Sequence, residues 1–275
     1  LSGKFIGDHK KFGYLTFAQA IANSSNVAMV KASLLLGDER LHGMTTALGF
    51  GEKTQIDLPG ESRGINRPLE FWRSFPRHKA YVAFGQSIAV TPIQLATAVA
   101  TIANDGVRLQ PYVVSGIGRN GAIEQRRDGA KVVARPIAPA VAHEVGRLLE
   151  GVMTEGTGKS AQIKGYRLAG KTGTAQIAIA GGYDKNHYIP GFVGYAPVDA
   201  PVLAGMVAID EPRGAAYHGG QVAAPLFSAI AKQVLLYLGV RPERKHPNWP
   251  GGKKTQEELD AMHAVPLVAS LRSVP

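Results

Sequence analysis

Two short motifs in this 275-residue chain carry residue types that suit acyl transfer. The first is Ser24-Ser25-Asn26, which places hydroxyl groups beside a carboxamide. A hydroxyl such as that of Ser24 could relay a proton, and the Asn26 amide could hold a substrate carbonyl. Serine and asparagine are also ordinary helix-capping residues, so this tripeptide alone indicates only a helix junction.

The second motif is Lys171-Thr172-Gly173-Thr174, which combines an ammonium, two hydroxyls and a glycine. The polar side chains could bind a terminal carboxylate, while Gly173 would let a substrate backbone approach closely. A backbone amide such as that of Thr174 could stabilise the oxyanion of acyl transfer. Because side chains alternate along a strand, local twist or the long lysine stem must bring Lys171 and Thr174 to the same side. Alone, the motif is typical of a simple turn at a strand end.

Nucleotide and metal chemistry find little support in the sequence. The segment from Glu155 to Ser160 resembles a phosphate-binding loop, but Met153 stands where that loop needs its first glycine, and a predicted helix precedes it instead of a strand. The eight histidines show no ligand spacing, which predicts no metal and no other cofactor. His187 and His218 are expected to be surface residues, the alternative being a place at the mouth of a cleft.

Composition narrows the class of protein. With 45% hydrophobic and 19% charged residues, the chain can bury a large core. Its net charge of +10 favours acidic partners, but the basic residues are scattered, so nucleic acid is not an expected partner. The absence of cysteine excludes disulfides and thiol catalysis. The most apolar stretch, Pro225 to Leu238, contains Lys232 and Gln233 and is shorter than the ~20 residues of a membrane span.

Capping signals predict the helices that position the first motif. Thr16 and Gln19 have the spacing of a capping box, so a helix should begin there, break at the Ser-Ser-Asn motif and resume until Gly37. A second capping box begins at Thr91, and its helix should end at residues 104–106. A third helix is expected from Pro139 to Met153. Its predicted core-facing residues are Val141, Val145, Leu148, Leu149 and Val152.

Strands should position the second motif. The apolar period changes to two after Gly165, which predicts a half-buried strand over 173–179 with its apolar residues at odd positions. Strands over 192–196 and 202–209 follow after connections too short for crossover helices, so the three should be antiparallel. A closing helix that begins at Pro225 should pack across this sheet. The fold class is therefore α+β, an antiparallel sheet flanked by helices.

The order and surroundings of the two motifs resemble the transpeptidase domain of class B penicillin-binding proteins, and among them the division-specific members. The likeness covers roughly Leu15 to Val240 and includes several segments outside the motifs. They are Leu15 to Lys31, Phe84 to Gln86 with Val90 to Ala96, Ile163 to Gly170 leading into the second motif, Phe192 to Pro197, and Tyr217 to Pro225.

This resemblance implies a penicillin-binding, β-lactamase-like fold and a serine acyl-enzyme that cross-links stem peptides ending in D-Ala-D-Ala, a dipeptide that β-lactam antibiotics mimic. By motif, Ser24 would relay protons and Asn26 would orient the substrate. Lys171, Thr172 and Thr174 would hold the substrate carboxylate and complete the oxyanion site, with Lys171 grouped with the catalytic residues Ser24 and Asn26, and Gly173 with the substrate-binding ones.

The chain departs from the family pattern because it contains no Ser-x-x-Lys motif, so no residue in it is assigned as the nucleophile. In the family, that motif and the first sheet strands come before Ser-x-Asn. We therefore expect residues 1–240 to be the C-terminal part of a transpeptidase domain, incomplete at the N-terminus, and 241–275 to be a basic tail rich in Pro and Gly. As it stands, the chain should be inactive and marginally stable. The alternatives are a non-catalytic β-lactam-sensing or scaffolding protein and a β-lactamase.

The resemblance also implies a location and partners. The intact protein would be anchored in the bacterial inner membrane by an upstream segment, with its catalytic domain on the periplasmic side. There it would make septal cell wall together with other cell-division proteins.

Overall fold

A computed structural model describes residues 6–120, 122–180 and 182–242. The described residues form eight helices and seven strands. The helices are α1 (Phe17–Ala22), α2 (Asn26–Leu36), α3 (Asp38–Ala47), α4 (Leu69–Ser74), α5 (His78–Val82), α6 (Pro92–Ala103), α7 (Pro139–Thr154) and α8 (Gly219–Tyr237). The strands are β1 (Arg108–Leu109), β2 (Gly116–Arg119), β3 (Ala122–Arg126), β4 (Val132–Ala134), β5 (Ala169–Ile179), β6 (Gly182–Ala196) and β7 (Leu203–Ala208).

The main sheet has the order β5-β6-β7 and is antiparallel throughout, so the predicted antiparallel sheet is confirmed. Helices cover both of its faces. Phe192 of β6 packs with Phe227 of α8 in the larger core cluster, whereas Tyr195 packs with Val99 of α6 in a second cluster. Because side chains alternate along a strand, these two β6 residues point to opposite faces of the sheet. The predicted helices flanking the sheet are therefore confirmed.

Both predicted capping boxes are present. The Gln19 amide donates to Thr16 Oγ1 at 3.2 Å, and the Thr16 amide donates to Gln19 Oε1 at 2.9 Å. Thr91 and Gln94 repeat this arrangement at 3.2 and 2.8 Å. Each pair satisfies amides that a helix's first turn would otherwise leave unpaired, which is why a local sequence signal locates these helix starts correctly.

Two helix predictions need correction. The closing helix begins at Gly219, so Pro225 lies inside it and does not start it. The extra turn is held by the sheet, because the Gly219 amide donates to Thr174 Oγ1 at 3.1 Å. In α7, the predicted core-facing residue Val141 is 53% exposed, and the buried residues are Ala142, Gly146, Val152 and Met153, of which only Val152 was predicted. Gly146 is one of them: a Cβ there would lie 2.4 Å from Tyr195 Oη, so a small residue lets the helix approach the sheet closely.

The predicted burial of the β5 strand is also wrong in detail. Ala175 and Ile179 are exposed, while Thr174 and Gln176 are half-buried. Thr174 faces the start of α8, where its hydroxyl accepts from the Gly219 amide, and the exposed Ala175 and Ile179 lie on the other side of the strand. The alternation of polar and apolar residues thus predicted the strand correctly, but the prediction of which side of the strand is buried was wrong.

The region between α6 and α7 holds two small sheets, β1-β4 and β2-β3, that no sequence pattern predicted. Of the tail expected over 241–275, residues 243–275 lie outside the described residues. Within the ranges that the structure describes, no helix combines the length and apolar character needed to cross a membrane. The outer edge of β7 has no partner strand among these residues.

Candidate active site

The Ser-Ser-Asn motif lies at the junction of α1 and α2, as predicted. Ser24 has φ 56°, a left-handed conformation that is uncommon for a residue with a side chain and breaks the helical path. Ser25 then caps α2, since its Oγ accepts from the Ala28 amide at 3.1 Å. This turn separates the roles of the two serines: Ser25 is buried and serves the helix, while Ser24 is half-buried and faces the sheet.

An upstream carboxylate fixes this junction. Asp8 accepts a hydrogen bond from Ser25 Oγ at 2.8 Å and another from the Val27 amide at 3.1 Å. The second bond satisfies one of the free amides in the first turn of α2. Asp8 therefore holds the loop that carries Ser24, although it lies seventeen residues from Ser25 and no local spacing in the sequence indicated it.

Lys171 joins the two motifs. Its Nζ donates to Ser24 Oγ at 2.9 Å and to the Thr172 carbonyl at 3.2 Å. Pairing between β5 and β6 is regular from Ala169 to Gln176, so the long lysine stem, and not a bulge, carries Nζ to Ser24. Burial lowers the pKa of Lys171 from 10.5 to about 8, because a buried ammonium loses hydration. Lys171 thus stays mostly charged at neutral pH but is close to titrating.

The rest of the second motif offers hydroxyls and open backbone. Thr172 Oγ1 lies 2.6 Å from Thr157 Oγ1, and Thr174 Oγ1 accepts from the Gly219 amide. Gly173 is exposed, and a Cβ added there would meet nothing within 4 Å. A substrate backbone can therefore approach the strand at this glycine without displacing protein atoms.

Asn26, which was predicted to belong to the site, makes its hydrogen bond to a backbone carbonyl outside both motifs. Its Nδ2 donates to the Gly7 carbonyl at 3.4 Å, and among the described residues it has no recorded hydrogen bond to Lys171 or Thr172. Asn26 is nevertheless close to Ser24 in the chain, because it is the first residue of α2 and follows Ser24 by two positions. The structure therefore joins Ser24 to Lys171, places Thr172 and Thr174 on the same strand, and leaves the Asn26 amide on the Gly7 backbone.

A cavity of about 550 Å³ opens beyond the motif, on the β6 side of the sheet. Its lining includes His187, Tyr188, Glu211 and Tyr217 but none of the six predicted site residues. His187 is exposed, as expected of a surface residue, and it lies at the wall of this cavity. Its ring lies 2.9 Å from Asp184, which raises the pKa of His187 through a hydrogen bond to the charged form.

Chemically, this arrangement places an ammonium against a serine hydroxyl and beside threonine hydroxyls on a strand. Such a set can move a proton through Ser24 and can bind a carboxylate through Lys171 and Thr172. It holds no nucleophile of the Ser-x-x-Lys type, in keeping with the sequence.

The chain is similar to known proteins in sequence. Residues 2–232 match the family described as the penicillin binding protein transpeptidase domain. Stage V sporulation protein D of Bacillus subtilis is 39% identical over 236 residues, which are 84% of this chain and 36% of that protein. Peptidoglycan D,D-transpeptidase FtsI of Escherichia coli K12 is 33% identical over 244 residues, 88% of this chain and 39% of that protein. The chain thus spans less than two fifths of the length of these relatives.

Solved structures agree in fold. The apo transpeptidase domain of Burkholderia pseudomallei penicillin-binding protein 3 has TM-score 0.76 and 34% identity over 88% of this chain and 69% of its own. Penicillin-binding protein 3 of Mycobacterium tuberculosis, complexed with ampicillin, has TM-score 0.77 and 30% identity over 89% of this chain and 56% of its own. The resemblance read from the two motifs is confirmed: the chain belongs to the penicillin-binding protein transpeptidase family.

Proposed function

We propose that the protein carrying this chain is a serine D,D-transpeptidase that cross-links peptidoglycan stem peptides and is a target of β-lactams. The observation that carries this proposal is the 2.9 Å hydrogen bond from Lys171 Nζ to Ser24 Oγ. It joins two motifs 147 residues apart in a chain whose sequence relatives include a protein named peptidoglycan D,D-transpeptidase.

In this mechanism the attacking serine belongs to a Ser-x-x-Lys motif upstream of these residues, and it forms an ester with the stem peptide. Ser24 relays the proton between that motif and the departing D-alanine, and Lys171 holds Ser24 in place and stabilises negative charge near it. The Asn26 amide leaves the Gly7 carbonyl to orient the substrate, at the cost of one long 3.4 Å hydrogen bond.

The substrate is held by its C-terminal carboxylate. Thr172 and Thr174 donate hydroxyl hydrogen bonds to it, and the Lys171 ammonium supplies the charge. The backbone passes Gly173, where the strand is open, and the Thr174 amide serves the oxyanion. A penicillin presents a comparable carboxylate, which is consistent with the ampicillin complex of the Mycobacterium tuberculosis relative.

The wider setting is also part of the proposal. Residues 1–240 belong to the C-terminal part of the transpeptidase domain, and the basic sequence of 241–275 follows that part along the chain. The intact protein is anchored in the inner membrane with this domain in the periplasm, where it makes septal wall with other division proteins. The name of the Escherichia coli relative supports the enzyme class, and the net charge of +10 suits an anionic cell-wall substrate.

Labelling with a fluorescent penicillin tests the proposal. The complete natural polypeptide that carries this chain should form one covalent adduct, whereas residues 1–275 alone should form none because they contain no Ser-x-x-Lys serine. Release of D-alanine from a pentapeptide in the presence of an acceptor amine then separates a transpeptidase from a β-lactamase. A complete polypeptide that neither labels nor releases D-alanine would favour the scaffolding alternative.

A further inference from the structure

The turn that follows α7 lies between the two motifs and contacts the elements that carry both. On one side, the Thr157 amide donates to the Ala22 carbonyl at 3.2 Å, and Ala22 is the last residue of α1, two before Ser24. A Cβ added at Gly156 would lie 2.1 Å from that same carbonyl oxygen. The turn therefore sits directly against the end of α1 and limits where the Ser24 loop can lie.

On its other side the same turn contacts the β5 strand. Thr157 Oγ1 lies 2.6 Å from Thr172 Oγ1, and both threonines are half-buried. The Thr157 carbonyl is also close to α8, since a Cβ at Gly220 would lie 2.6 Å from it. One residue thus contacts the Ser24 helix, the Lys171 strand and the α8 start through its amide, hydroxyl and carbonyl respectively.

The direction of the hydrogen bond between the Thr157 and Thr172 hydroxyls matters for substrate binding. A hydroxyl carries one proton, and a carboxylate can only accept hydrogen bonds. If Thr172 donates its proton to a substrate carboxylate, the bond between the threonines can persist only with Thr157 as donor. Thr157 would then orient the Thr172 proton towards the substrate before binding, which reduces the ordering cost of binding.

We infer that Thr157 is a positioning residue of this site: its hydroxyl donates to Thr172 and directs the Thr172 proton to the substrate carboxylate. This inference rests on the proposed function, because it requires Thr172 to bind that carboxylate. The sequence placed Thr157 in a segment that only superficially resembles a phosphate-binding loop. Its position between the motifs explains why a glycine is needed on its N-terminal side.

The test compares Thr157→Val with Thr157→Ser in the complete natural polypeptide. Valine keeps the branched shape and loses the donor, whereas serine keeps the donor and loses a methyl group. Thr154→Ala is the matched control, because Thr154 is exposed at the end of α7, three residues away. For each variant, the rate of acylation by benzylpenicillin is measured against concentration, which separates the dissociation constant from the acylation step. The same measurement is made with benzylpenicillin methyl ester, which has no free carboxylate.

We expect Thr157→Val to weaken penicillin binding by about two- to tenfold, the range of one ordinary hydrogen bond. Its acylation step, and its binding of the methyl ester, should stay close to those of the unmodified protein. Thr157→Ser and Thr154→Ala should bind penicillin normally. A merely structural role predicts the reverse order, with serine the more harmful change.

Three results would overturn the inference. In the first, the Thr157→Val variant binds penicillin as tightly as the unmodified protein does, and the unmodified protein is labelled normally. This result would leave the proposed function intact. In the second, the Thr157→Ser variant binds penicillin more weakly than the unmodified protein does, and this comparison remains available if the Thr157→Val variant fails to fold. In the third, the unmodified protein is labelled by neither compound, which refutes the proposed function and the inference with it.

Discussion

The buried ammonium of Lys171 gives a quantitative prediction about stability and pH. Burial lowers its pKa from 10.5 to about 8 in the folded chain. Between these two values the unfolded chain holds a proton that the folded chain has released, so the free energy of unfolding should rise with pH through this window. Each pKa unit is worth about 1.36 kcal/mol, so the whole effect is about 3 kcal/mol.

Replacing Lys171 by Met isolates this contribution. The variant removes the titrating group, while every other ionisable group is retained in both proteins. The difference in unfolding free energy, Lys171→Met minus the unmodified chain, should therefore decrease by about 3 kcal/mol as the pH rises from 7 to 10.5. The loss of the hydrogen bond to Ser24 shifts this difference by about 1 kcal/mol at all pH values and leaves its slope unchanged.

Urea denaturation of the complete natural polypeptide at several pH values measures the difference, and NMR titration of the lysine side-chain resonances measures the pKa directly. A stability difference that does not change between pH 7 and 10.5, or a Lys171 pKa near 10.5, would refute the argument that burial controls this group.

Three further substitutions test the surrounding framework by urea denaturation. Phe192→Ala should cost about 3 to 5 kcal/mol, because Phe192 is 1% exposed and its loss leaves a cavity between the sheet and α8. Gly219→Ala should cost about 1 to 3 kcal/mol, since its Cβ would lie 2.2 Å from the Gly173 carbonyl oxygen. Asp8→Ala should cost about 1 to 2 kcal/mol through loss of the hydrogen bonds that fix α2.

Each of these has its own contrary result. Gly43→Ala, in a helix with open space at the Cβ position, is the control for Gly219 and should be neutral or stabilising. Equal effects of the two alanines would contradict the close packing of α8 on β5. If the Asp8→Ala protein were as stable as the unmodified one, Ser25 would cap α2 without help from Asp8. If Phe192→Ala left the free energy of unfolding unchanged, Phe192 would not belong to the core.

Local signals made much of this fold predictable. The capping boxes at Thr16 and Thr91 involve side chains and amides only three residues apart, so they report helix starts without reference to the rest of the chain. Short connections similarly determined that the strands are antiparallel. The start of α8 was missed because its first turn is held by the Thr174 hydroxyl, which comes from another element.

The residues of the site likewise fall into two groups, those that the sequence identified and those that it did not. Residue types identified Ser24 and Lys171 as candidates, but their contact depends on how the helices pack on the sheet. Asp8 and Thr157 act through hydrogen bonds to residues distant in sequence or to a neighbouring backbone, and neither has a spacing that a motif could express. The sequence did not indicate that small residues such as Gly146 bring α7 close to the sheet, because hydrophobic periodicity is recognised from large apolar side chains.

A double-mutant cycle on Ser24 and Lys171 tests the central claim most directly, since that claim is that the two motifs form one catalytic unit. The rate of acylation by fluorescent penicillin is measured for the complete natural polypeptide with Ser24→Ala, Lys171→Met and both changes. Each single change should reduce the rate by about 10²-fold or more, and the double variant should be no slower than the slower single variant. Losses that multiply in the double variant would show that the two residues act independently and would contradict the account.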